Sequence, residues 1–156
     1  MKKHIIILSL IILTSISAKA QYNGAVGVRF TDGPAVSAKF NVWGSSAFEV
    51  LVGGFGNGLK GTFLYEIHNP AFNSSRWRWY YGFGGHAGSS PVKRKNYDPV
   101  YNGEVFHLGL DGIVGLEHTF TEIPINISAD WKPEVNFVNY TGLVLPVFGF
   151  TGRFAF

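Results

Sequence analysis

Apolar and polar side chains alternate with a period of two along most of the chain. In the segment YNGAVGVRFT, for example, Val26 and Val28 share one parity, while Arg29 and Thr31 share the other. Because successive side chains of a strand point to opposite faces, this alternation predicts β-strands with one apolar and one polar face. Spacing typical of an amphipathic helix is not found after Ala20.

Eight alternating segments follow one another, separated by turn signals such as Asn57-Gly58 and Asn69-Pro70. We predict strands over residues 22–31, 35–43, 47–55, 59–68, 76–86, 105–117, 123–132 and about 143–156. Strands of roughly ten residues, joined by alternating short turns and longer loops, are typical of a small membrane-spanning β-barrel.

The alternation alone fits both a soluble barrel with apolar faces inside and a membrane barrel with apolar faces outside. An eight-stranded barrel has a lumen only just large enough for side chains to fill it. Most apolar faces carry several large residues, as Phe148, Phe150, Phe154 and Phe156 do in the last strand. These side chains fit better around a barrel than within it. We therefore predict an all-β fold, an eight-stranded antiparallel up-and-down transmembrane β-barrel.

The N-terminal residues have the pattern of a cleavable secretory signal peptide. Lys2 and Lys3 precede a short apolar run, and an Ala-Lys-Ala motif ends at Ala20. The apolar run is shorter than the ~20 residues that a spanning helix needs. We therefore predict a signal peptide over 1–20, cleaved after Ala20, and a barrel domain over 21–156.

The charge balance and the composition narrow the possible partners and the class of protein. Removing Lys2, Lys3 and Lys19 with the signal peptide from the 13 basic residues leaves as many basic as acidic residues, of which there are 10. We therefore expect no nucleic-acid partner, since that requires a clustered basic face. Charged residues make up only 15% of the chain, against about 25% in a typical soluble domain. The chain has no Cys, so no disulfide supports the fold.

Four charged residues of the polar faces are expected to meet at the periplasmic end of the lumen. Glu66 ends the fourth predicted strand, Arg76 and Arg78 begin the fifth, and Glu117 ends the sixth. We interpret them as a structural ion cluster that fills the lumen, because a buried charge is tolerated mainly when it is paired. The functional alternative is a proton or ion path.

A second group, formed by His86, His107 and Asp130, is expected towards the outer mouth of the lumen. Two His side chains with a carboxylate can bind a metal, and a His beside a Ser can activate a nucleophile. No spacing motif supports either chemistry. We therefore predict hydrogen-bonded packing there, with no metal, no cofactor and no catalytic residue.

The longest irregular segment, AGSSPVKRKNYDPVYNGE, is predicted to be an outer loop. Its basic run of Lys93, Arg94 and Lys95 could contact lipopolysaccharide phosphates, or it could simply be solvated. Loops on a rigid scaffold often carry the function of a protein.

The segments LKGTFLYEIHNPAF, WRWYYGFGGHAG and GLDGIVGLEHTFTEIPINISADWKP resemble a family of small, mostly uncharacterised Gram-negative outer-membrane β-barrel proteins. The architecture is similar to that of OmpA/OmpX-type barrels. The end of the chain, with Phe154 and Phe156, resembles the C-terminal signal by which such barrels reach their insertion machinery. The resemblance implies an outer-membrane location, with outer-membrane lipids, lipopolysaccharide and that machinery as partners. It implies no catalytic residue and no particular extracellular partner.

The expected function is that of a non-enzymatic integral outer-membrane barrel with a structural, envelope-integrity or surface-binding role. Its lumen is expected to be plugged by polar and charged side chains. One alternative is an outer-membrane enzyme that modifies lipid A or phospholipid. A further alternative is a secreted soluble barrel that binds an apolar ligand.

Overall fold

The computed structural model describes residues 23–31, 33–55, 58–91, 104–138, 141–145 and 147–156. The predicted signal peptide and the basic run at 93–95 lie outside the described residues. The strands are β1 (Gly24–Phe30), β2 (Pro34–Trp43), β3 (Ser46–Phe55), β4 (Gly58–Ala71), β5 (Ser74–Pro91), β6 (Glu104–Thr119), β7 (Ile125–Trp131), β8 (Glu134–Asn136), β9 (Gly142–Val144) and β10 (Phe148–Ala155).

These strands form one closed antiparallel barrel. β1 to β6 pair in sequence order, and β6 then pairs with β7 and, in the same register, with β8. β7 and β8 are thus two parts of the seventh barrel strand, while β9 and β10, which pair with them, form the eighth. β10 also pairs with β1, from Ala25 opposite Ala155 to Phe30 opposite Phe150. The predicted eight-stranded antiparallel barrel is confirmed.

The interruptions of the last two barrel strands have local causes. Pro133 separates β7 from β8 and has no N–H to donate, but its carbonyl still accepts the N–H of Gly112 at 3.0 Å. The register shifts by one residue between β9 and β10, as a β-bulge requires. Leu143 and Leu145 are consequently exposed on the same outer surface as Phe148, although their parity differs.

The two faces of the strands lie as predicted. Trp79, Phe148 and Phe150 are 42%, 65% and 66% exposed on the outside, whereas Lys39 and Glu49 are fully buried in the lumen. Apolar side chains therefore surround the barrel and polar side chains fill it.

We call the end that carries the connections 44–45, 72–73 and 120–124 and the terminal Phe156 the turn end, and the opposite end the loop end. A turn was predicted at Asn69-Pro70, but β4 continues to Ala71. The turn lies instead at Phe72 and Asn73, which both have positive φ, as a type I′ hairpin turn requires.

The β5–β6 hairpin is longer than predicted. Its pairing continues towards the loop end as far as Pro91 opposite Glu104. The sequence there is rich in Gly and Ser, which weakens the alternation from which strands were predicted.

Candidate functional site in the lumen

Every barrel strand contributes buried polar or charged side chains to the lumen. They are Arg29, Ser37, Lys39, Glu49, Thr62, Glu66, His68, His86, Asp111, Glu117, Asn126, Ser128, Asp130, Lys132, Glu134, Thr151 and Arg153. Because most of these groups are charged and shielded from solvent, their pairing decides what the lumen can do.

At the turn end, one ammonium group contacts three carboxylates. Lys39 Nζ lies 2.7 Å from Glu66, 3.5 Å from Glu117 and 3.6 Å from Glu49. Arg153 forms a second ion pair with Glu49. We call these five residues the turn-end cluster.

Arg153 is held in place by further hydrogen bonds to side chains of β2 and β7. Its Nε donates to Ser37 Oγ at 2.7 Å, and its Nη1 donates to Ser128 Oγ at 2.9 Å and to Asn126 Oδ1 at 3.2 Å. Ser37 in turn donates to Glu49 at 2.6 Å. The planar fork of a guanidinium suits such multiple bonding.

His68 and Tyr80 cover the turn-end cluster on the side of β4 and β5. The two rings stack with centroids 5.1 Å apart, and Lys39 Nζ lies 4.2 Å from the centre of the Tyr80 ring. His68 Nε2 lies 3.5 Å from Glu66 and 3.6 Å from Glu117. The Lys39 ammonium therefore also gains a cation–π contact.

A bidentate ion pair joins β1 and β7 over the intervening strand β10. Arg29 donates to Asp130 through Nη1 at 2.5 Å and through Nη2 at 2.6 Å. Tyr80 donates a further hydrogen bond to Asp130 at 3.1 Å. Charge-assisted pairs of this geometry are among the strongest in proteins.

A second group of charges, which we call the loop-end cluster, lies nearer the loop end. Its members are Lys60, His86, Asp111, Lys132, Glu134 and Asn136. Lys132 donates to Asp111 at 2.7 Å and to Glu134 at 2.5 Å, and Lys60 donates to Glu134 at 2.9 Å. His86 lies between Asp111, at 2.9 Å, and Asn136, at 2.8 Å.

Three members of the loop-end cluster have the residue types of a metal site. The ligand atoms of His86, Asp111 and Glu134 lie within 4.8 Å of one another. The Lys132 ammonium, however, already contacts both carboxylates. The chain itself thus supplies the positive charge that a metal ion would bring, so the geometry fits an ion-pair network better than a metal centre.

An apolar layer separates the two clusters. Leu51, Leu64 and Ile113 are buried in the lumen together with Tyr80. On β6, Ile113 lies between the inward Asp111 of the loop-end cluster and the inward Glu117 of the turn-end cluster. We call the three aliphatic residues the septum. In the sequence, Leu51 shares the parity of Glu49, Leu64 that of Glu66 and Ile113 that of Asp111, so all three are apolar exceptions on polar faces.

The structure brings together only part of the ion cluster predicted from the sequence. Glu66 and Glu117 are neighbours in the turn-end cluster. Arg76 is exposed and Arg78 is half-buried, and within the described ranges neither guanidinium forms an ion pair with a carboxylate. The cation is instead Lys39, which reaches the cluster from β2 across the lumen although β2 is adjacent to neither β4 nor β6.

The three residues of the predicted outer-mouth group lie apart. His86 belongs to the loop-end cluster, His107 Nε2 lies 2.8 Å from Ser90 Oγ in the upper β5–β6 hairpin, and Asp130 pairs with Arg29. Each of the three faces a glycine on the neighbouring strand rather than another member of the group. The stagger between strands, which the alternation does not reveal, places them at different levels.

The aromatic residues of the predicted insertion signal lie on the outside of the barrel. Phe154 and Phe156 are exposed at the end of the strand that closes against β1. The basic run at 93–95 is not among the described residues.

Comparison with protein-family models, with curated proteins and with solved structures gives no match. In the described part of the chain, no helix is long and apolar enough to cross a membrane.

Proposed function

We propose that the protein is an integral outer-membrane β-barrel with a structural, envelope-integrity or surface-binding role. The observation that carries this proposal is the inverted distribution of side chains, apolar outside and charged inside. Each barrel strand contributes exposed apolar residues: Val28, Val36, Val50, Phe63, Phe83, Leu110, Ile127 and Phe150. Soluble monomers rarely expose continuous apolar surfaces larger than a few hundred Å².

The aromatic residues support a membrane position with the turn end in the periplasm. Trp77 and Trp79 lie near the turn end, together with Phe154 and Phe156, and Phe106 lies towards the loop end. Amphipathic and aromatic rings are favoured at both boundaries of the hydrocarbon region. In this position outer-membrane lipids surround the barrel, and we propose lipopolysaccharide as the partner of the basic run at 93–95 because its phosphates carry the opposite charge.

The side chains in the lumen favour a plugged barrel over an open pore. The buried residues of the septum lie in the lumen between two clusters in which charged groups are held by ion pairs. An ion would have to lose its hydration shell and break these pairs to pass. We therefore propose that the rigid barrel carries its role on its outer surface and loops.

The chain is proposed to reach this membrane by export and insertion. The signal peptide over 1–20 supplies the export step. β10, with outward Phe154 and Phe156, is the strand proposed to engage the insertion machinery. Pairing of β10 with β1 satisfies the facing edges of these two strands in a medium without hydrogen-bonding partners.

A substitution on the outer face distinguishes a membrane barrel from a soluble one. In lipid vesicles we expect Phe150→Lys to destabilise the barrel by about 2–4 kcal/mol, because a lysine near the bilayer midplane is costly. Unfolding by urea, followed by tryptophan fluorescence, measures this change. As a control, Phe106→Lys near the loop end should cost about 0–1 kcal/mol.

Extraction of the envelope fraction tests the location itself. The proposed barrel remains in the membrane in alkaline carbonate and changes its gel mobility on heating in detergent. Release into the carbonate supernatant, or equal stability of Phe150→Lys and the unmodified chain, would instead support a secreted soluble barrel.

One contact favours the lipid-modifying enzyme as a second candidate. Ser90 Oγ and His107 Nε2 lie 2.8 Å apart near the loop end, within the hydrogen-bond distance that a serine nucleophile and its base require. If this pair cleaves an acyl ester, Ser90 Oγ attacks the carbonyl while His107 takes its proton, and the ester C–O bond breaks as the alcohol leaves with that proton. Water, deprotonated by His107, then attacks the acyl-serine, which releases the carboxylic acid and restores the Ser90 hydroxyl.

The test of this candidate is a comparison of lipid A and phospholipid mass spectra from cells that express the unmodified chain, Ser90→Ala or Ser89→Ala. An enzyme changes the spectra in a way that only Ser90→Ala abolishes. As we propose a non-enzymatic barrel, we expect identical spectra from all three.

A further inference from the structure

A groove interrupts the outer apolar surface of the barrel where β6 meets the seventh and eighth barrel strands. It has a volume of about 460 Å³, which is within the range of pockets that hold small organic ligands. Its walls are formed mainly by outward apolar side chains: Phe83, Leu110, Trp131, Val135, Leu143 and Leu145.

Two interruptions of the regular strand pattern create the groove. Gly112 occupies the outward position of β6 between Leu110 and Val114, so one side chain is missing from the surface. A methyl group added to Gly112 would meet only Pro133, at 3.5 Å. Pro133 lies between β7 and β8 and also lines the groove. The groove is therefore open space that a ligand can enter.

The polar groups beside the groove already have partners. The N–H of Gly112 donates to the carbonyl of Pro133 at 3.0 Å, and the indole N–H of Trp131 donates to the carbonyl of Leu145 at 2.5 Å. The carboxylate of Asp111 takes part in the loop-end cluster. A polar ligand would lose its hydration in the groove without gaining hydrogen bonds, whereas a hydrocarbon has none to lose.

We propose that the groove is a binding site for one acyl chain of a membrane lipid. This inference rests on the proposed membrane position and deepens it, because it distinguishes one bound lipid from the lipids that surround the barrel. The groove extends from the level of Trp131 towards the loop end, where Leu110, Val135 and Leu143 lie side by side. The bound lipid therefore belongs to the leaflet at the loop end.

The size of the groove favours an acyl chain over a side chain of a second barrel. A cavity of about 150 Å³ already accommodates a benzene ring. One inserted aromatic side chain would thus leave most of the 460 Å³ empty, and empty space forfeits dispersion contacts with the walls. A flexible chain of methylene groups can follow the groove and fill it.

Photocrosslinking in vesicles tests the site on the unmodified chain. The vesicles consist of phosphatidylethanolamine and phosphatidylglycerol, and a small share of the phosphatidylethanolamine carries a diazirine in one acyl chain. Mass spectrometry of the peptides maps the labelled residues. We expect labelling to concentrate at residues 110–112, 131–135 and 143–145, in preference to Val36 and Val52, which are exposed on the opposite wall. Equal labelling at both places would overturn the proposal.

Two glycine substitutions test whether the groove itself retains the lipid. Gly112→Leu places a side chain in the groove. Gly152→Leu, the matched control, adds the same side chain to the outer surface of β10, where an added methyl group has no atom within 4 Å.

Native mass spectrometry of the full chain, purified in detergent micelles with phosphatidylethanolamine, measures the retained lipid. We expect one lipid on the unmodified chain and on Gly152→Leu, and its loss from Gly112→Leu. Retention by all three proteins would overturn the proposal. So would a dimer that only Gly112→Leu converts to a monomer, because a second copy would then occupy the groove.

The acyl-chain site and the membrane position can fail separately. A barrel that resists extraction by alkaline carbonate but is labelled evenly around its outer surface would refute the acyl-chain site alone. Release into the carbonate supernatant would refute the proposed membrane position, and the acyl-chain site with it.

Discussion

At the scale of single residues, inward glycines decide where the large charged side chains of the lumen can lie. A methyl group at Gly149 would collide with the Arg29 guanidinium, and one at Gly115 would collide with the Tyr80 ring. Alternation treats a glycine as neutral between the two faces. In this lumen, the missing side chains of Gly149 and Gly115 instead leave the space that the Arg29 guanidinium and the Tyr80 ring occupy.

Gly149 and Gly152 on β10 offer a matched pair of substitutions. We expect Gly149→Ala to lower the free energy of unfolding by about 2 kcal/mol or more, because it overpacks the lumen and disturbs the Arg29–Asp130 pair. Gly152 faces outwards with no atom within 4 Å of an added methyl group, so Gly152→Ala should change stability by less than about 0.5 kcal/mol. Urea unfolding measures both, and equal effects would contradict the inward position of Gly149.

At the scale of the strands, the exceptions to alternation have structural reasons. Leu51 breaks the polar face of β3 because it belongs to the septum. The change of parity between Leu145 and Phe148 is absorbed by the bulge, which keeps both side chains on the outer surface. An apolar residue on a polar face therefore indicates a local apolar layer in this lumen, not an error in the strand prediction.

Leucine-to-alanine substitutions at one septum position and at one outer position test whether the septum is packed. We expect Leu51→Ala to destabilise the barrel by about 2–5 kcal/mol, since the buried side chain leaves a cavity. Leu110→Ala, on the outer face of β6, should cost clearly less in detergent micelles, because the apolar medium fills the space. Thermal or urea unfolding measures the loss of stability of both variants. A larger loss for Leu110→Ala than for Leu51→Ala would place the packed apolar layer outside the barrel.

At the scale of the whole molecule, the barrel pairs charges that are far apart in sequence. Arg29 on β1 meets Asp130 on β7, and Lys39 on β2 meets Glu117 on β6. The first contact spans the intervening β10 and the second joins opposite walls across the lumen, so both add to the hydrogen bonds between neighbouring strands. The inversion of the usual protein interior, with ions inside and apolar groups outside, is a property of the closed barrel that no single strand has.

The sequence by itself determined the eight barrel strands and the face that each turns to the lumen. Both follow from alternation, which depends only on the geometry of an extended backbone and can be read strand by strand. The buried Lys39 and Glu49, and the exposed Trp79 and Phe148, lie on the sides that this pattern predicts.

The tertiary structure alone decided which inward side chains meet. Lys39, rather than Arg76 or Arg78, contacts Glu66 and Glu117, because a closed and staggered barrel brings non-neighbouring strands together across a narrow lumen. Alternation fixes the direction of a side chain but not its level along the barrel axis. That level depends on the register of every strand at once, so the network of the lumen emerges only when the barrel closes.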